Sequence, residues 1–229
     1  MTPLELEEAG LGDDAPDLRF WAGRARGLVL DLGCRGGRVS AFLRKREAVV
    51  ISLDPAAACV RATRRRSERL PVVQADIRRF MFRRLDTVLA TSSAFQELPN
   101  RADRARCLAS VRESLRPSGS LVLALRAPKP REAALVPRRL AAEFVHGGTR
   151  IARFETVRRE PGVAVVASDW VVAGKPAGTV ERRLAVLDRP ALQEELRAAG
   201  FSLFALFRDW NEAPFDDRGP LLIVEAARD

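Results

Sequence analysis

The chain has 229 residues, enough for one domain with a full hydrophobic core and short for two independent ones. No segment has the roughly 18 uncharged apolar residues of a membrane span, and the acidic N-terminal sequence lacks a secretory signal, so we expect a cytoplasmic protein. The net charge is +9, but all but three of the 39 Lys and Arg residues are arginines spread along the chain without interleaved aromatic residues, which gives little support for a nucleic-acid partner.

The first half of the chain alternates short apolar runs with helical patterns, which is typical of βαβ units in a parallel sheet. The run LVLDL at 28–32 is apolar on both faces, as a central parallel strand is. Two further strands are predicted at 48–54 and 70–76. Asp54 is also a candidate cap for a helix that begins at Pro55.

The second half repeats this organisation. The predicted strands are 85–91, 120–126, 201–207 and 221–227, and the predicted helices are 101–116 and 191–200. Pro117 is expected to stop the first helix and Gly200 to cap the second. A loop joins the last two strands, so we expect antiparallel neighbours at one edge of the sheet. The pattern predicts an α/β fold with a doubly wound, mostly parallel, seven-stranded sheet in a single domain, 1–229.

The segment 127–190 does not alternate in this way. RIARFETV, VAVVASDWVV and TVERRLAVL have the pattern of antiparallel strands, separated by turns that contain glycine and proline. A helix disturbed at Pro137 is expected before them. We interpret the segment as a lid-like insertion, between the fifth and sixth core strands, over the ligand end of the sheet.

A glycine-rich turn follows the first strand. Gly33, Gly36 and Gly37 stand between a buried strand and a helix, where a ligand can approach the backbone closely. A dinucleotide fingerprint needs glycine at the positions of Arg35 and Arg38, so the spacing argues against a nicotinamide or flavin cofactor.

Carboxylates end three successive strands, at Asp31, Asp54 and Asp76. Carboxyl ends of adjacent parallel strands form the crevice where open α/β sheets bind ligands. There Asp54 can accept hydrogen bonds from both ribose hydroxyls of an adenosine, and Asp76 from the adenine amino group while Ile77 packs on the ring. The alternatives are a helix cap for Asp54 and a surface carboxylate for Asp76.

With these residues the chain resembles the class I S-adenosylmethionine-dependent methyltransferases, of the bacterial small-molecule type, over nearly its whole length. The resemblance rests on VLDLGCRGG (29–37), Asp54, QADIRRF (74–80), LDTVLATSSAFQEL (85–98), SVRESLRPSGSLVLAL (110–125) and the C-terminal segment from Leu192. It implies a Rossmann-like fold with S-adenosylmethionine as cofactor. The implied cofactor contacts are Asp31, Gly33, Cys34, Gly37, Asp54, Asp76, Ile77, Thr91 and Ser92. Arg35 departs from the family, which usually has glycine there, and its side chain would either crowd the cofactor or point to solvent.

Methyl transfer from a sulfonium needs alignment and exclusion of water more than a dedicated base. The sequence accordingly offers no catalytic triad and no metal-ligand spacing, and its one histidine, His146, is expected in an exposed loop. Two groups beyond the strand ends are candidates for the acceptor pocket, although Phe95 and Trp210 are also natural core residues. The candidates are Phe95, Gln96, Asp209, Trp210 and Asn211.

The sequence thus predicts methyl transfer to N or O of a small molecule. One alternative is a methyltransferase fold that binds cofactor poorly and serves as an interaction module, with Arg35 as its indication. The other is an RNA or DNA methyltransferase, supported by the basic charge alone; TSSAF (91–95) is unlike the Asn-Pro-Pro-aromatic segment of enzymes that methylate base amino groups.

Overall fold

A computed structural model describes residues 1–12, 15–127, 134–216 and 218–229 of the chain. The helices are α1 (Pro3–Gly10), α2 (Pro16–Arg24), α3 (Arg38–Arg44), α4 (Ala57–Arg66), α5 (Arg101–Ser114) and α6 (Arg189–Ala198), with a short 3₁₀ helix at Ala94–Glu97. The strands are β1 (Leu28–Leu32), β2 (Val49–Asp54), β3 (Val72–Gln74), β4 (Leu85–Ala90), β5 (Leu115–Arg126), β6 (Leu135–His146), β7 (Thr149–Glu160), β8 (Val163–Val172), β9 (Lys175–Ala185), β10 (Phe201–Phe207) and β11 (Leu221–Arg228). Among the described residues, no helix is long and apolar enough to cross a membrane.

Seven strands form the large sheet in the order β10-β11-β5-β4-β1-β2-β3. The strands from β3 to β5 are parallel, and β11 runs antiparallel to both β10 and β5. The predicted mostly parallel, seven-stranded sheet is therefore confirmed, with the antiparallel strand placed one position inside the edge. The apolar run in β1 is buried on both faces because one core packs the sheet against α5 and α6 and another packs it against α2 and α3.

The remaining four strands form an antiparallel sheet in the order β6-β7-β8-β9, which follows β5 and precedes α6 in the chain. The prediction of a helix disturbed at Pro137 is wrong, because strand β6 occupies Leu135–His146. Pro137 is tolerated there since β6 is an edge strand and its register with β7 shifts between Val136 and Arg139, where no ladder hydrogen bond is needed from the proline.

Two local predictions at helix ends also need correction. Helix α5 stops at Ser114, and Pro117 lies inside β5 instead of ending the helix. Helix α4 begins at Ala57 with Ala56 at its cap position, so Asp54 is not the cap. Helix α5 therefore ends before Pro117, and helix α4 begins after Pro55.

The N-terminal helix α1 joins the two sheets and was not predicted. Thr2 and Glu5 form a capping box, in which each side chain accepts a hydrogen bond from the other residue's backbone amide. Leu6 is fully buried against Ile151 and Trp170 of the antiparallel sheet. Helix α1 therefore fixes the antiparallel sheet from the side of the glycine-rich turn.

The side chain of Gln96 makes a second connection between the sheets. Its amide nitrogen donates to the carbonyl oxygens of Arg126 and Ala185, both at 3.1 Å, and its amide oxygen accepts from the Arg126 backbone amide at 2.8 Å. Gln96 is 2% exposed, so these bonds satisfy backbone groups that water does not reach.

Replacing Gln96 with leucine should destabilise the protein by about 3 kcal/mol, because three buried backbone groups lose their partners at roughly 1 kcal/mol or more each. The measurement is urea unfolding followed by circular dichroism. Gln74→Leu is the matched control, since that exposed side chain makes a single bond, to the Pro55 carbonyl at 3.3 Å. Equal stability of the two variants would show that Gln96 does not hold the sheets together.

Candidate functional site

The turn from β1 to α3 brings backbone close to the loop that follows β4. Gly33 has φ +72°, and a Cβ there would lie 2.2 Å from the Cβ of Ala94. The amides of Gly33 and Cys34 donate to the Leu53 carbonyl at 2.8 and 3.0 Å, which ties the turn to β2. Gly37, at the cap position of α3, also has positive φ. Glycine is required here by packing and by backbone conformation.

Helix α1 covers the outer side of this turn. A Cβ at Gly36 would lie 2.8 Å from the carboxyl carbon of Glu8. The Glu8 carboxylate in turn accepts from Arg66 of α4 at 2.8 Å. The close approach that the glycines allow is thus used at Gly36 by a side chain of the protein itself.

Asp31 is fully buried, and both of its carboxylate oxygens are occupied. Ser40 of α3 donates to one at 2.5 Å and Thr91, just beyond β4, donates to the other at 2.7 Å. Ser52 of β2 donates to the Ser40 hydroxyl at 2.8 Å. Burial raises the pKa of Asp31, and the two hydroxyl donors counter that effect. These contacts give Asp31 a positioning role toward the loops around it.

Asp54 lies at the end of β2, where it binds backbone instead of capping a helix. Its carboxylate accepts from the amides of Arg35 and Ala56, both at 2.9 Å. Asp54 is 5% exposed. Burial and the neighbouring Asp54 raise the pKa of the Cys59 thiol to about 12. A carboxylate with two acceptor sites in use retains capacity for further donors such as hydroxyl groups.

A strained turn follows β4. Ser92 and Ser93 both have positive φ, 56° and 60°, and the Ala94 amide donates to the Thr91 carbonyl at 3.0 Å. Non-glycine residues in this conformation are uncommon, and such strain concentrates at functional sites. Ser92 is exposed at this turn, whereas Thr91 points inward to Asp31.

A cleft of about 660 Å³ opens beyond β3, and we call it the outer cleft. Its lining includes Pro55, Gln74, Asp76, Ile77, Glu97 and Leu98. Asp76 forms a bidentate pair with Arg78 that lowers the pKa of its carboxyl, and 45% of its side chain is exposed. The structure therefore places Asp76 and Ile77 in one cleft. Asp54 immediately precedes Pro55, which lines the same cleft.

Arg35 fills the space between the glycine-rich turn and the 3₁₀ helix. The residue has φ +52°, and its guanidinium donates to Glu7 of α1 at 2.6 Å and to Glu97 at 3.1 Å. Arg182 of β9 donates to the same Glu7 at 2.9 Å and lies 3.6 Å from Glu97. We call these four residues the Arg35 cluster.

The side chains of Arg35, Glu7 and Arg182 are 15–17% exposed, whereas 36% of the Glu97 side chain is exposed. Burial raises the pKa of Glu7, but Arg35 and Arg182 outweigh this and leave it below its ordinary value. The side chain of Arg35 thus points neither to solvent nor to open space. It lies at the crevice that sequence analysis predicted for the cofactor.

The five candidates for the acceptor pocket do not come together. Gln96 lines a cavity between the two sheets, but its amide is committed to backbone. Phe95 is buried in the main core.

Trp210 packs on Phe20 and Trp21 with ring centroids 5.5 Å apart. Asp209 accepts from the Asn211 and Ala213 amides in a local turn, where Asn211 is exposed.

The cavity between the sheets has a volume of about 410 Å³, and we call it the inter-sheet cavity. Its polar lining comes from Gln96, Arg126, Arg139, Arg153, Glu155 and Arg159. Apart from Gln96, these residues were not predicted, since nothing in the sequence pattern indicates which face of a strand points to a neighbouring sheet. His146 lies away from this cavity, exposed at the end of β6. Among the described residues, no group of His, Cys, Asp and Glu is placed to hold a metal ion.

Comparison with known proteins bears on the segment that carries the turn and the strand ends. A family model described as a methyltransferase domain matches residues 29–119. No curated protein sequence matches the chain. The CcbJ methyltransferase from Streptomyces caelestis has a similar structure, with a TM-score of 0.80, 18% identity and coverage of 100% of this chain and 99% of that chain.

Two further solved structures are described with S-adenosylmethionine bound. CalS10, an amino pentose methyltransferase from Micromonospora echinaspora, has a TM-score of 0.75, 22% identity and coverage of 97% of this chain and 94% of that chain. The glycopeptide N-methyltransferase MtfA has a TM-score of 0.65, 26% identity and coverage of 93% of each chain. The chain thus contains a methyltransferase domain and has the fold of S-adenosylmethionine-dependent methyltransferases.

The glycine turn has a testable packing requirement. Gly33→Ala should destabilise the protein by more than the roughly 1–2 kcal/mol that a left-handed alanine costs, because the new methyl group meets Ala94. Gly162→Ala is a matched control, since Gly162 has the same φ of +72° and an added Cβ there would meet nothing within 4 Å. Thermal unfolding of both variants gives the difference, and equal losses would mean that the contact with Ala94 is readily relieved.

Proposed function

We propose that this methyltransferase transfers a methyl group from S-adenosylmethionine to N or O of a small-molecule acceptor, with the cofactor at the carboxyl ends of β1 to β4. The observation that carries the proposal is the convergence of the glycine turn, Asp54 and the outer cleft at this edge of the sheet. Open α/β sheets bind ligands in this position.

The adenosine end has the better preformed site. Asp54 would accept from the ribose hydroxyls with the acceptor capacity that Arg35 and Ala56 leave free. Ile77 would pack on the adenine ring within the outer cleft, and Asp76 would accept from its amino group. Because Asp76 is exposed and paired with Arg78, its contribution would be small compared with that of the buried Asp54.

The methionine end would lie along the turn from Gly33 to Gly37, near Cys34, Thr91 and Ser92. Asp31 would act there by holding Ser40 and Thr91 in place, since its own oxygens are occupied. The Arg35 side chain also crosses this region, so the residues would fit the cofactor once the guanidinium leaves Glu7 and Glu97.

When bound, the cofactor supplies the electrophilic methyl group. The protein's part is to align the acceptor atom in line with the departing sulfur and to exclude water. In our proposal the antiparallel sheet is the lid named from the sequence at 127–190, and it closes the acceptor side through Gln96 and helix α1. The inter-sheet cavity beneath that lid is the proposed place of the acceptor.

The structural neighbours support a small-molecule acceptor over nucleic acid. Their descriptions include an amino pentose methyltransferase and a glycopeptide N-methyltransferase. A cavity of about 410 Å³ also has the size of a small-molecule site.

A second candidate function is an interaction module with little cofactor affinity, and the Arg35 cluster is the observation that favours it. The cluster gives the crevice its own internal partners for charge, which a ligand would have to replace. Direct titration with S-adenosylmethionine and its demethylated product separates the two functions, because the module would bind neither.

Asp54→Ala should weaken S-adenosylmethionine binding at least tenfold, because two hydrogen bonds to a carboxylate contribute roughly 1.5–3 kcal/mol each. Isothermal calorimetry measures the change. Asp188→Ala is the control, since Asp188 also accepts a backbone amide, from Ala191 at 2.9 Å, but caps α6. Unchanged affinity in the Asp54 variant would remove that residue from the site.

Arg35→Gly should tighten S-adenosylmethionine binding roughly fivefold. The unliganded variant no longer has the partly buried ion pairs to Glu7 and Glu97, whose loss on binding costs about 1 kcal/mol. Arg65→Ala is the control, since it removes a different pair with α1, to Glu5. Weaker binding by the Arg35 variant would show that the guanidinium holds the cofactor instead of opposing it.

A further inference from the structure

Arginines predominate among the charged residues that the structure describes in the lining of the inter-sheet cavity. They are Arg126 from β5, Arg139 from β6, and Arg153 and Arg159 from β7, and the carboxylate among these described lining residues is that of Glu155. Arg153, Glu155 and Arg159 alternate along β7, so they share one face of the antiparallel sheet.

One carboxylate serves two of these arginines. The same Glu155 oxygen lies 3.2 Å from Arg126 and 3.5 Å from Arg153. Burial raises the pKa of Glu155, but Arg126 and Arg153 outweigh this effect and leave the pKa below its ordinary value. The Nε atom of Arg153 is buried and has no hydrogen-bond partner in the part of the chain that the structure describes. A buried cation with incomplete pairing is stabilised by a further anion.

The rest of the cavity wall is apolar. Val157, Val166 and Leu184 form a small buried cluster on the antiparallel sheet, and all three line the cavity. A ligand that fills this space therefore needs an apolar or ring-like body as well as a group that meets the arginines.

The inter-sheet cavity also adjoins the proposed methyl-transfer site. Gln96 lines this cavity and the next residue, Glu97, lines the outer cleft and belongs to the Arg35 cluster. Gln96 holds the backbone of Arg126 through two hydrogen bonds. The backbone from which the Arg126 side chain extends is therefore fixed at the C-terminal end of β5.

We infer that the acceptor of this methyltransferase carries an anionic group, a carboxylate or a phosphate, which Arg126 and Arg153 bind in the inter-sheet cavity. The inference rests on the proposed function, because it takes this cavity as the acceptor's place. A planar guanidinium binds either oxyanion through paired hydrogen bonds, so both sources share one recognition chemistry.

Four phenyl probes test the inference on the full chain by calorimetry: phenyl phosphate, benzoate, benzamide and benzylamine. At least one anionic probe should bind five times more tightly than the neutral and cationic ones. Preference for phenyl phosphate indicates a phosphate acceptor, and preference for benzoate a carboxylate. Equal binding of all four probes, or preference for benzylamine, would overturn the inference.

Arg153→Gln should reduce binding of the preferred anion at least fivefold. Arg158→Gln is the matched control, because it is the same substitution on β7 but the side chain is exposed and pairs with Glu160 outside the cavity. Equal losses in the two variants would assign the effect to net charge and overturn the inference. Should the Arg153 variant unfold, Arg126→Gln takes its place with the same expectation, since 40% of the Arg126 side chain is exposed.

Titration of the wild-type chain with S-adenosylmethionine, in parallel, separates the two levels of the proposal. Cofactor binding without an anion preference refutes the anionic acceptor alone. An anion preference that depends on Arg153, without cofactor binding, refutes the proposed function and keeps the anion site.

Discussion

The buried carboxylate of Asp31 holds together the loops on which the candidate site depends. Its two oxygens bind the hydroxyls of Ser40 and Thr91, and Ser40 is bonded in turn to Ser52. One residue at the end of the central strand thus fixes α3, β2 and the start of the loop after β4. Removal of water from this carboxylate is costly, and the hydroxyl donors offset the cost only while all three elements keep their positions.

The glycines act within the frame that Asp31 sets. Gly33 allows Ala94 to approach the turn, and Gly36 allows Glu8 of α1 to do so. Each contact brings in a different element: the 3₁₀ helix with Gln96 and Glu97, and helix α1 with Glu7. The charged residues of the Arg35 cluster therefore converge because small residues beneath them let backbone segments come close.

The large sheet was predictable because its central strands are buried on both faces and its strands are separated by local signals. The run at 28–32 coincides with β1, which is buried on both faces, and the run at 201–207 coincides with the half-buried edge strand β10, since continuous apolar sequence identified both. Pro137 was misleading because its cost depends on whether the strand is an edge strand with an irregular register, which is a tertiary property. Helix α1 has a local signal, the capping box at Thr2 and Glu5, but only eight residues.

Within the site, what sequence could predict were residues at strand ends, because parallel strands bring their carboxyl ends to one edge whatever the side chains do. The pairing of Arg35 with Glu7 and Glu97 joins residues 28 and 62 positions apart, and Glu7 meets Arg182 at 175. Charge patterns at such separations carry no local periodicity, and 36% of the Glu97 side chain is still exposed. Only the folded arrangement selects these partners from among the chain's many arginines.

The Arg35 cluster and the charged residues of the inter-sheet cavity meet at helix α1. Burial lowers the pKa of Arg153, and Glu7 is among the carboxylates close enough to oppose that effect, so Glu7 influences Arg153 as well as binding Arg35 and Arg182. A series of alternating charges therefore runs from Arg126 and Glu155 through Arg153 to Glu7 and the Arg35 cluster. Arginines alternate with carboxylates in this partly buried space. A ligand that neutralises one arginine therefore changes the electric field at the next carboxylate. The outer cleft and the inter-sheet cavity are for this reason electrostatically connected through α1, a helix that belongs to neither sheet.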